Sequence, residues 1–231
     1  MFALADCLPV PAFFRERPMT YTQTTLEKAQ KGEAIELLIL GASQSGKTKI
    51  LTKWNHVEIL GTFPSNPLVL ESSSCSVQFI TGPVQFNISS APDTAVSLLI
   101  TAYANKADLV IFTYSRAELE QLDLVRDKYL KLLSHHPRLS SLSIMLVGTE
   151  AENNPYKPRR DDDLSPFLET IKLIALAWKI NTELGCRIAF ANCIVDRWSS
   201  TDELKDTTRR FAFLPDNYQF HDFRSWRFGR K

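Results

Sequence analysis

The sequence predicts an α/β domain on a six-stranded, mostly parallel sheet with one antiparallel edge strand and helices on both faces. Three observations predict it. Short, nearly continuous apolar runs, within Ala34–Leu40, Ala107–Tyr114 and Leu142–Val147, have the character of strands covered on both faces. They alternate with segments of helical periodicity, the succession that builds parallel sheets. Two alternating segments, Cys75–Thr81 and Val84–Ser89, flank Gly82-Pro83 and predict a hairpin, the one departure from the parallel pattern.

The 231 residues suffice for a single hydrophobic core with irregular ends, and 44% apolar residues argue for a packed one. Lys plus Arg number 27 against 26 Asp plus Glu, so no nucleic acid is expected as partner. Cys7, Cys75, Cys186 and Cys193 have no metal-ligand spacing and predict reduced thiols in a cytoplasmic protein. No apolar run reaches the roughly 20 residues needed to span a bilayer. The residues order into an N-terminal extension over 1–33, an α/β domain over 34–213 and a tail over 214–231 in which basic and aromatic residues interleave. Such a tail makes a membrane surface a candidate peripheral contact, with packing back onto the domain as the simpler alternative.

Element by element, Thr22–Lys31 predicts a short helix before the first strand, Ala34–Leu40, and a second helix runs to about His56. Residues 57–73 contain Gly61, Pro64 and Pro67 and predict a loop. The hairpin follows, with Val77, Phe79, Phe86 and Ile88 inward, then a helix over Ala95–Asn105 and the strand Ala107–Tyr114. Ser115 with Glu118 predicts a capping box for a helix whose apolar face is Leu119, Leu122, Val125, Tyr129 and Leu132. After Leu142–Val147, Ser165-Pro166 predicts a helix start, and Phe167, Ile171, Ile174 and Trp178 repeat along one side before Gly185 stops it. Arg187–Asn192 is the last predicted strand and Thr201–Phe213 the terminal helix.

Chemistry concentrates between the first strand and the second helix, at Gly41, Ala42, Ser43, Gln44, Ser45, Gly46, Lys47 and Thr48. This GxxxxGKT spacing places glycines where backbone must pass close to phosphate. It sets amide donors around an anion, a lysine for the β and γ phosphates and a threonine hydroxyl for Mg²⁺. An apolar strand before it and a helix after it are the context the motif requires. The pattern alone leaves the base open between adenine and guanine.

Leu37–Ile50, LLILGASQSGKTKI, resembles the first nucleotide-binding segment of the Ras-like P-loop GTPases, and its wording is nearest to heterotrimeric G-protein alpha subunits. The resemblance implies GTP or GDP with Mg²⁺ as ligands and a Ras-like order of elements over residues 34–213. The long helical insertion of an alpha subunit is missing, and no arginine in 57–73 stands for its intramolecular finger. Thr62 is the only threonine in that connection and the implied second Mg²⁺-sensing residue beside Thr48, with Ser65 and Ser72–Ser74 as alternatives.

Elsewhere the chain departs from the family's pattern. Ser89-Ser90-Ala91-Pro92 stands at the family's Asp-x-x-Gly, where a serine brings no carboxylate and a proline no amide hydrogen. The water-orienting glutamine falls at Asp93, the one weak catalytic candidate. At the Asn-Lys-x-Asp positions stand Thr149, Glu150 and Glu152, and the last base-contacting loop matches Asn192 and Cys193. Ser43 replaces the usual glycine and Gln44 the alpha-subunit glutamate.

These readings predict a divergent small GTP-binding protein with weak or absent hydrolysis. It acts as a regulatory or scaffold subunit through protein partners at the switch-like regions 57–74 and 89–104. A nucleotide-free interaction module of the same fold and a P-loop ATPase are the alternatives.

Overall fold

The computed structural model describes residues 21–54, 71–79, 82–90, 97–135, 142–151 and 165–213. In chain order the elements are α1 (Tyr21–Gln30), β1 (Ile35–Gly41), α2 (Lys47–Trp54), β2 (Glu71–Phe79), β3 (Gly82–Ser90), α3 (Ser97–Ala104) and β4 (Leu109–Ser115). There follow α4 (Gln121–Leu124), a π-helical turn (Val125–Tyr129) and α5 (Leu130–Leu133), then β5 (Ser143–Glu150). The chain continues through α6 (Ser165–Lys179), a second π-helical turn (Ile180–Leu184), β6 (Arg187–Ile194) and α7 (Trp198–Phe213).

The sheet has six strands in the order β2-β3-β1-β4-β5-β6. The body that builds the core is five-stranded and entirely parallel, in the order β3-β1-β4-β5-β6. It has helices on both faces, an α/β architecture of the general Rossmann or P-loop-like kind. β2 pairs antiparallel with β3, from Glu71 opposite Ser90 to Phe79 opposite Gly82. Gly82 and Pro83, expected as the hairpin turn, lie within β3 instead.

Side chains alternate across the parallel strands and build two cores. On one face Leu38, Leu40, Val110, Phe112, Ile144 and Leu146 pack with Ile100 of α3, Leu130 of α5 and Leu173 of α6. On the other, Ile35, Leu37, Ile39, Ile111 and Met145 pack with Ile50 and Trp54 of α2 and Leu204 and Phe211 of α7. Trp54 Nε1 donates to the Thr201 carbonyl at 2.9 Å, so a buried aromatic ties the two helices of that face together with its polar atom satisfied. Phe86 and Ile88 of β3 are buried, as expected; the side chains of Val77 and Phe79 lie outside the description.

Helix α1, from the expected extension, packs on the domain body. Thr25 donates to the Ala212 carbonyl at 2.6 Å, and Lys28 reaches both carboxylate oxygens of Asp108 at 2.8 and 2.6 Å. Two expectations about helices change. Ser115 ends β4 and caps nothing: α4 begins at Gln121, although Leu122, Val125 and Tyr129 form the buried face as expected. In α6 the apolar repeat of Phe167, Ile171, Ile174 and Trp178 faces outward, while Glu169, Leu173, Leu176, Ala177 and Ile180 are buried. The helix is apolar around most of its circumference, so periodicity alone names two faces and cannot say which is inside. Gly185, at φ 70°, ends the second π-helical turn in the left-handed region that only glycine adopts without cost. No described helix is long and apolar enough to cross a membrane.

Candidate functional site

The loop 41–48 leaves the carboxyl end of β1 at the point where the strand order reverses. From β1 the chain goes first to β3 on one side and then returns to β4 on the other. Helices α2 and α3 consequently lie on opposite faces, and the strand ends at such a reversal are the general ligand position in open α/β sheets.

Close approach forces the glycines. A Cβ at Gly41 would collide with the Thr113 carbonyl and hydroxyl oxygens and with Ser45 Oγ. At Gly46, φ is 83° and a Cβ would lie 2.9 Å from Val195 Cγ1 and 3.2 Å from Thr149 Cγ2. Gln44 also sits in the left-handed region, at φ 61°, a conformation that costs a non-glycine residue roughly 1–2 kcal/mol.

Lys47 closes the loop. Its ammonium donates to the carbonyls of Gly41 at 2.7 Å and Ala42 at 2.6 Å, and to Ser45 Oγ at 3.4 Å, with the residue only 9% exposed. The Gly41 carbonyl accepts a second bond from Tyr129 Oη at 3.1 Å, which occupies both its lone pairs. Tyr129 stands in the π-helical turn and stacks on Phe112, ring centroids 5.8 Å apart. Ser45 Oγ and Thr113 Oγ1 share a bond of 2.7 Å, and Gln121 Nε2 reaches the Ser43 carbonyl at 3.4 Å. Ser43 and Gln44 are exposed, whereas Ala42, Gly46 and Thr48 are half-buried, Thr48 in the first turn of α2.

The residues matched to base recognition divide. Thr149 is buried against the back of the loop, donating to the carbonyls of Ser45 and Tyr114 at 3.1 Å each. Glu150 is ion-paired to the Arg116 guanidinium. Asn192 is exposed beside Gly148, where a Cβ would meet Asn192 Oδ1 at 2.8 Å and Tyr114 Oη at 2.9 Å. Cys193 points to the other face and is buried in the core with α2 and α7. That burial pushes its thiol up to about 11, against a lowering hydrogen bond with Ser200. Asp93, Thr62 and Glu152 lie outside the described residues, as does most of 57–74, part of 89–104 and the tail.

Arg116 and Glu169 pair beside the carboxyl ends of β4 and β5 and were not evident from the sequence. Glu169, 1% exposed, takes a fork from Arg116, with Nε to Oε1 and Nη2 to Oε2 each at 3.0 Å, and a bond from Tyr114 Oη at 2.8 Å. Burial works against the Arg116 charge, but the Glu169 bonds and the charge of Glu150 outweigh it and raise its pKa. Burial first, then the Glu169 carboxylate, raises the Tyr114 phenol well above its ordinary range. Tyr114 ends a strand read as buried, where a phenol demands a partner, but Glu169 lies off the apolar repeat of its helix, so no sequence pattern joins the two.

Among the described residues, no three His, Cys, Asp or Glu side chains cluster as a metal site. A small cleft lined by Leu37, Trp54, Phe86, Ile88 and Thr208 lies under α7, away from the loop, and has room for about 10 Å³, no more than a water. No protein-family model matches the chain, and no curated protein is similar to it in sequence.

Proposed function

We propose that this protein is a divergent small GTP-binding protein of Ras-like kind that holds guanine nucleotide at 41–48, hydrolyses it weakly or not at all, and works through protein partners. One observation carries the reading: Lys47 and two forced glycines hold a compact loop at the carboxyl end of β1, at the reversal of strand order. The donor set fits a phosphate chain, since Lys47 supplies charge and the start of α2 supplies amide groups and a favourable dipole. Thr48, with Thr62, is the candidate ligand pair for a Mg²⁺ ion, which would neutralise phosphate charge. Ser89 and Pro92 in place of a carboxylate and a glycine amide favour binding over turnover. The regions 57–74 and 89–104 are the proposed partner surfaces, and the basic, aromatic tail the proposed membrane contact.

A second reading, an interaction module without nucleotide, draws on a different observation. Lys47, Thr149 and Glu150 already spend their polar atoms inside the protein. Competition of unlabelled GTP, GDP and ATP against a fluorescent guanine nucleotide separates the readings. Displacement by GTP and GDP alone supports the first; no binding of the probe supports the second; preference for ATP moves the protein to another P-loop class.

A further inference from the structure

We propose that the outer face of α6 is the contact through which two copies of this chain form an antiparallel, two-fold dimer. Phe167 is 61% exposed, Trp178 52%, Leu168 49%, and Ile171 and Ile174 46% each. These side chains share a face on which no charged residue falls; Lys172 and Lys179 stand at its margin. The opposite face of the same helix is buried, with Leu173, Leu176 and Ile180 in the core. An exposed helix face in a stable domain ordinarily carries charge, so a ridge of this kind marks an association surface.

The pattern specifies the occupant. Phe167, Ile171, Ile174 and Trp178 are spaced four, three and four apart, the seam spacing of paired helices. The seam reads aromatic, isoleucine, isoleucine, aromatic, and is symmetric about its midpoint. Two such helices, antiparallel about a two-fold axis through that midpoint, bring Phe167 of each copy against Trp178 of the other and Ile171 against Ile174. This is the self-complementarity an isologous interface requires. Each copy presents roughly 500 Å² of side-chain surface, taking aromatic areas of about 150–250 Å². The pair therefore buries about 1,000 Å², at the lower bound for a specific interface, which predicts a micromolar dimer rather than an obligate one.

Sedimentation equilibrium of the full chain, from low micromolar to several hundred micromolar, tests this. The expected result is a reversible monomer–dimer equilibrium weakened roughly tenfold or more by Ile171→Glu and by Ile174→Lys, each with unchanged circular dichroism. The register adds a sharper readout. Mixing the I171E and I174K chains places opposite charges across the axis and recovers a heterodimer that neither chain forms alone. A monomer at every concentration, a dimer indifferent to both substitutions, or failure of the mixture to recover association would each overturn the proposal. So would flotation of the wild-type chain, but not the I171E chain, with anionic vesicles.

Discussion

Thr149 Oγ1 donates to the Ser45 carbonyl at 3.1 Å, so a residue matched to base recognition instead braces the back of the loop. The same hydroxyl lies 3.1 Å from the Tyr114 carbonyl. Thr149→Val keeps the shape and removes the single hydroxyl proton that the two buried carbonyls share, and a loss of about 1–2 kcal/mol in urea unfolding is expected. An unchanged urea midpoint would show the brace to be inert.

Glu169 and Arg116 form the most consequential ion pair in the described structure, because Glu169 is almost fully enclosed. Arg116→Ala leaves that carboxylate buried without its cation, and about 3–5 kcal/mol of stability is expected to go. Glu169→Gln keeps the shape and the Tyr114 bond and is expected to cost less. Equal costs would mean that charge pairing contributes little.

The loop backbone separates its residues by conformation. At Gln44, φ 61°, replacement by glycine relieves strain against added chain entropy, and a gain of about 0.5–1 kcal/mol is expected. Gly41→Ala has no such room, since its Cβ meets Thr113 backbone, and a loss of several kcal/mol is expected. A destabilised Gln44→Gly chain would contradict the strain assignment.

Cys193 links stability to alkaline pH. Its folded pKa, raised by burial from 9.0 to about 11, means the folded state keeps a proton that the unfolded state loses. The stabilisation is complete below pH 9 and disappears as pH rises to 11, with about 2–3 kcal/mol at stake. Thermal unfolding of Cys193→Ala should fall less steeply than wild type across that window. Parallel curves would place the pH dependence elsewhere, Tyr114 being the next candidate.

Most of the fold was legible because strands such as Leu109–Ser115 bury both faces and so are apolar throughout. The loop was legible because its glycines and Lys47 are fixed by backbone approach and charge. What was not legible depends on packing between distant segments. Ser115 and Glu118 have capping-box spacing, yet the Ser115 amide is taken by the Gln121 side chain at 2.8 Å and the helix starts later. The apolar seam of α6 is as periodic as a core face, and only the buried Leu173 and Leu176 decide that it faces outward. Tyr129 reaches Gly41 from 88 residues away, a contact no local pattern encodes.

Lys47 and its loop are proposed to hold the phosphates of a guanine nucleotide. Calorimetric titration of GDP with Mg²⁺ into the wild-type chain and Lys47→Ala tests it most directly. Saturable binding to wild type is expected, with a loss of roughly 10–100-fold in affinity without the ammonium, the scale of one charged hydrogen-bonding group. Absence of heat in the wild type, or equal affinity in the two chains, would contradict it.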